Sequence, residues 1–90
     1  MRAPTALEAR IGKSGRTLCK VVDLSRYGAR LETHSALRRG STIWLTLPTI
    51  GTIAAEVRWS SDLSAGCEFS TALSPETFAL LALGVSGTDG

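Results

Sequence analysis

The sequence has one histidine, two cysteines and no apolar run approaching the roughly 20 residues that a membrane-spanning helix needs. The two cysteines, Cys19 and Cys67, lack CxxC spacing and have no histidine near them in sequence, which removes the usual zinc ligand sets. His34 has Ser35 beside it, with Asp23 and Asp62 elsewhere, but there is no GxSxG elbow to organise a triad. A P-loop and a GxGxxG turn are also missing. An enzyme is therefore not expected, and no cofactor or metal either. A surplus of one charge is lacking as well: ten Lys+Arg against eight Asp+Glu leave a formal charge of +2. That is too little for a duplex nucleic-acid binder, although a few clustered arginines would suit a small anion. The opening MRAPTALEAR contains no apolar core of a secretory signal. The expected setting is the cytoplasm, with neither DNA nor membrane as partner. In a reducing compartment Cys19 and Cys67, each flanked by strand-like sequence, read as inert packing thiols.

What is present is an ordinary globular composition, 43% hydrophobic and 20% charged over 90 residues, which points to a single domain. No repeat, low-complexity stretch or interior linker divides it. Leu7, Ala9 and Ile11 alternate with Glu8 and Arg10, the period of a half-buried strand. Gly12-Lys13-Ser14-Gly15 reads as a turn. A β-rich run from Arg16 to Leu24 follows, its facing ambiguous because Leu18, Val22 and Leu24 compete with Cys19 and Val21. Ser25 to Gly28 is a second turn. Ala29 and Leu31 form a third short strand, and His34 to Gly40 is a connection with room for one helical turn. Ile43, Leu45 and Leu47 alternate as a fourth strand ended by Pro48. The clearest alternation, Ile53, Ala55, Val57 and Trp59, marks a fifth, and Ala65, Cys67 and Phe69 a sixth. Trp44 falls on the polar phase of its strand and is expected either to pack under the helix that follows or, left exposed, to anchor a partner.

The period changes at Ser74. Ser74 is a good N-cap, Pro75 suits the first helical position and Glu76 the positive end of the dipole. Phe78, Leu81 and Ala82 then share one face, and Gly84 ends the helix. Many short strands with one terminal helix imply an all-β, closed or nearly closed antiparallel barrel, which also removes exposed edges. The expected layout is one domain over 1–84, with a flexible N-terminal segment at 1–5 and a disordered tail at 85–90. Val57, Trp59 and Phe69 are expected inside, against the Phe78–Leu81 face.

One stretch carries chemistry. In Asp23-Leu24-Ser25-Arg26-Tyr27-Gly28, Asp23 and Ser25 can bond the turn backbone and Gly28 can take positive φ. The same groups can also read a guanine edge: a carboxylate accepts from N1–H and N2–H₂, and a hydroxyl and a backbone N–H add further bonds. The stretch matches the [D/N]xSxxG pattern of the PilZ family and is followed by Ala29-Arg30-Leu31. Glu56-Val57-Arg58-Trp59, Ala65-Gly66-Cys67-Glu68-Phe69 and Ser74-Pro75-Glu76 also resemble that family, so the likeness runs from about Thr5 to Leu83. The resemblance implies a six-stranded β-barrel with a helix capping one end, and binding of the bacterial second messenger cyclic di-GMP. It further implies an upstream RxxxR whose guanidinium groups grip phosphate and the guanine Hoogsteen edge. Arg2 stands where the second of those arginines would fall, and the first would precede Met1. The implied ligand-binding residues are Arg2, Asp23, Ser25 and Gly28, with Arg26 adding charge. The implied function is a signal-binding domain that relays to a protein partner by ordering its N-terminal segment. The rival expectation is a PilZ-like interaction module, for example in motility or pilus regulation, that binds no nucleotide. Arg38-Arg39 reads as a solvated loop.

Overall fold

The computed structural model describes residues 2–12 and 17–83. They form β1 (Arg2–Ile11), β2 (Thr17–Ser25), β3 (Gly28–Glu32), β4 (Thr42–Leu47), β5 (Gly51–Ser60), β6 (Ser64–Phe69) and α1 (Pro75–Ala82). The strands close into an antiparallel barrel in the order β1-β2-β3-β6-β5-β4, the fold class expected from the sequence. Leu24, Leu31, Leu45, Val21 and Val57 fill its centre and are fully buried. The Lys13–Gly15 turn, the Gly84 stop and the 85–90 tail lie outside the described residues.

Three irregularities reset the alternation, each a bulge that shifts register by one residue. In β2 the shift falls between Val21 and Asp23. Cys19 and Val21 face inward before it and Leu24 after it, while Leu18 is 62% exposed. The two competing phases of this strand are thus both correct, on opposite sides of the bulge. In β1 the shift falls between Pro4 and Leu7, and the strand begins at Arg2 rather than Leu7. The segment expected to be loose is drawn against β2, with Arg2 opposite Ser25 and Pro4 opposite Asp23. Pro4 and the bulge hide this pairing from a period-2 reading.

The third shift, between Val57 and Trp59 in β5, corrects an expectation. Val57 is fully buried and Phe69 nearly so, but Trp59 is 44% exposed on the outer surface. With Arg58 as the extra residue, the side chain after it leaves the core. Trp44 takes the exposed of its two expected places: it lies on the outer face of β4, 38% exposed, while α1 packs mainly on β1 and β2. No helical turn forms in the connection after β3, which has a bend at His34–Ser35 and a turn at Arg39–Gly40.

The helix starts as its cap residue requires. Ser74 has extended backbone and its Oγ accepts from the Thr77 N–H, with Pro75 next. Leu81 is buried, and Phe78 packs against the core cluster beside it. The barrel seam between β1 and β4 is short, with Arg10 opposite Thr46 and Ile11 opposite Leu45. The first half of β1 is therefore paired on one side only, along β2.

Candidate functional site

The motif turn is built by its own serine. Ser25 Oγ accepts from the N–H groups of Tyr27 and Gly28, each at 3.1 Å, and lies 3.4 Å from the Gly28 carbonyl, toward which its hydroxyl points. These bonds close a tight ST-type turn between β2 and β3. Gly28 is needed there for space and not for a left-handed backbone, which corrects the expectation of positive φ: among the described residues the positive-φ glycines are Gly12, Gly40 and Gly51. A Cβ at Gly28 would overlap the Cys67 carbonyl oxygen and lie 3.2 Å from its carbon. The backbones of β3 and β6 meet at that point, with Gly28 opposite Glu68.

Arg26 ties the turn to the chain ahead of α1. Its Nε–H donates to the Leu73 carbonyl at 2.8 Å, and the Leu73 N–H donates back to the Arg26 carbonyl at 2.7 Å. The Phe69 N–H adds a bond to the Tyr27 carbonyl, also at 2.7 Å. The guanidinium carbon sits 5.5 Å from the Tyr27 ring centroid, a cation–π distance. Arg26, expected to contribute charge to a ligand, thus has a structural task for its Nε.

Asp23 stands at the head of a row that crosses four strands. It is half-buried on β2 and opposite Arg30 of β3. Arg30 is opposite Gly66 of β6, and Gly66 is opposite Trp59 of β5. Ala29 and Leu31 point into the core, so Arg30, Gly66 and Trp59 belong to the outer surface. Beside the row Arg58 donates to the Glu68 carboxylate, both side chains about half exposed, and that hydrogen bond raises the guanidinium pKa above its ordinary value. Arg2 joins this end of the barrel through its backbone pairing with Ser25. The structure thus brings Arg2, Asp23, Ser25 and Gly28 to one end of β2 and β3, with Arg26 on the adjoining turn. The sequence reading did not place Arg30, Gly66 and Trp59 in this row. The outward phase of Arg30 is legible between Ala29 and Leu31, but the meeting of Gly66 with Trp59 depends on the β5 bulge.

A separate hollow of about 450 Å³ lies further along the outer surface, lined by Glu8, Leu18, Lys20, Glu32, His34 and Leu63 among others. Its two carboxylates and one ammonium do not suit a doubly anionic ligand. Among the described residues no cluster of His, Cys, Asp and Glu could hold a metal ion, and no helix is long and apolar enough to cross a membrane.

This barrel, capped by a helix and carrying a serine-built turn between its second and third strands, defines a small binding-domain architecture. The PilZ domain family model matches residues 1–86, and the chain belongs to that family. No curated protein matches it. PilZ domains are known as cyclic di-GMP receptors and act as binding or adaptor domains rather than catalysts.

Proposed function

We propose that this chain is a cytoplasmic receptor domain for cyclic di-GMP that passes the signal to a protein partner. The observation that carries the reading is the preformed Ser25–Gly28 turn with Asp23 at its base and Arg2 paired beside it, in a chain of the PilZ family. The Asp23 carboxylate accepts from the N1–H and N2–H₂ of guanine. Arg2 supplies a charged contact to phosphate or to the O6/N7 edge. Ser25 and Gly28 keep the turn close to the base, and Arg26 fixes it to the segment that leads into α1. Relay would use the first half of β1. Because it is paired on one side only, its register and order are the cheapest part of the barrel for a ligand to change.

Titration calorimetry of cyclic di-GMP into the full chain tests this. Asp23→Ala and Arg2→Ala should each weaken binding by about ten- to a hundred-fold, since a hydrogen bond to a charged group is worth roughly 1.5–3 kcal/mol. The Arg2 contribution should shrink as salt rises and the Asp23 contribution should change less. The second reading, an interaction module for motility or pilus machinery that binds no nucleotide, draws on the Ser25 Oγ being already taken by two turn amides. Absence of binding at tens of micromolar ligand would favour it.

A further inference from the structure

We propose that the outer face of β1, β2 and β3 around the hollow is a two-fold interface with a second copy of this chain. The face is built by alternation. Leu7, Ala9, Cys19, Val21, Leu31 and Thr33 are buried, so Glu8, Lys20 and Glu32, which stand between them in sequence, are sent outward and exposed. The register then aligns these three. Glu8 is opposite Lys20, and Lys20 is opposite Glu32. A carboxylate, an ammonium and a carboxylate thus succeed one another at strand spacing, about 4.8 Å. Among the described residues none of the three has an ion-pair partner. Next to this row Leu18 is 62% and Leu63 55% exposed, both on the wall of the hollow.

The charge pattern selects the partner. A nucleic acid or a uniformly acidic segment would meet two carboxylates, and a uniformly basic one would be opposed by Lys20. The face calls for alternating charges at strand spacing with apolar side chains beside them, and a second copy carries that pattern by construction. A two-fold axis running along the strands between Lys20 and Glu32 sets each Lys20 against Glu32 of the second copy, so the ion pair forms twice. Leu18 precedes Lys20 on β2, and Leu63 precedes Ser64, which is opposite Glu32. β2 and β6 run in the same direction, each antiparallel to β3, so both leucines lie on the same side of the charged row. In the dimer the leucines of both copies gather there, over the hollows, and leave water. The Ser25–Gly28 turn is at the other end of β2 and stays open in both copies.

Sedimentation equilibrium of the full chain without nucleotide, carried to about millimolar concentration, tests this. So small a contact implies a dissociation constant on the order of 100 µM. Leu18→Glu and Leu63→Glu each put a carboxylate into the apolar part of the contact and should leave a monomer throughout. Lys20→Glu sets carboxylate against carboxylate and should weaken the dimer by about tenfold or more. The Lys20→Glu, Glu32→Lys chain restores opposite charges across the axis and should recover the dimer, which a merely structural role for either residue would not do. All these positions are on the surface, so each variant should fold, and a thermal melt confirms it. A chain that stays monomeric at the highest concentration would overturn the interface. A dimer that persists in Leu18→Glu and Leu63→Glu, or that Lys20→Glu leaves equally strong, would overturn it too. So would a folded double variant no tighter than Lys20→Glu.

Discussion

The indole of Trp59 fills the space where Gly66 has no side chain. The contact is a consequence of one extra residue in β5: Val57 pairs with Cys67 and Trp59 with Gly66, so Arg58 has no opposite number. Val57 and Trp59, two positions apart, consequently face opposite sides of the barrel wall, and substitutions at them should behave differently. Val57→Asp places an unpaired carboxylate in the fully buried centre and should cost several kcal/mol, enough to unfold a domain of this size. Trp59→Ser, on the outer surface, should cost under about half as much. Urea denaturation of both variants checks the order. Equal losses would mean that Trp59 packs inside.

Gly28 makes a sharper case. The group that a new Cβ would meet is the Cys67 backbone, which cannot rotate away as a side chain can. Gly28→Ala should therefore force β3 and β6 apart and destabilise the domain by about 1–3 kcal/mol. A thermal melt lying on that of the unaltered protein would contradict the close approach.

Thr49 carries the strain of the β4–β5 connection. It holds φ +75°, a value rare for a β-branched residue, and the Ile50 N–H donates to the Pro48 carbonyl at 2.8 Å across it, a tight three-residue turn. Glycine adopts this backbone without a Cβ clash, at some loss from its freer unfolded chain. Thr49→Gly should raise stability by about 1 kcal/mol, read from the denaturation midpoint, whereas Thr49→Val should give no gain.

Cys19 and Cys67 are free and buried, and burial pushes both thiols up from 9.0 to about 11. A thiol whose folded pKa is raised contributes stability that is fully present below the unfolded value. That stability falls as pH climbs from about 9 to about 11 and then levels off. Denaturation midpoints should drop over that window, and the drop should shrink in a Cys19→Ala, Cys67→Ala chain. An identical alkaline slope in both proteins would assign the loss to other groups.

The fold was legible wherever strands kept their period. Ile43, Leu45 and Leu47 on β4 and Ala65, Cys67 and Phe69 on β6 point inward as their alternation implies, and Ser74 opens α1 by its own hydrogen bond. Three bulges broke the rule. They concealed the start of β1, split the facing of β2 and turned Trp59 outward, because a one-residue insertion leaves no mark in the hydrophobic pattern itself. The candidate site divides in the same way. Asp23, Ser25 and Gly28 are contiguous, so their turn chemistry is readable. Arg30, Gly66 and Trp59 become neighbours only through the register of four strands. The task of Arg26, holding Leu73 from 47 positions away, has no local signal at all.

The proposed cyclic di-GMP site is the face around the Asp23–Gly28 turn. Amide chemical shifts of the ¹⁵N-labelled chain during a titration with that ligand test it most directly. The amides of Asp23 to Arg30 should shift together and saturably, while Lys20, Glu32 and Leu63 in the separate hollow stay in place. Shifts confined to that hollow, or none at tens of micromolar ligand, would contradict the claim.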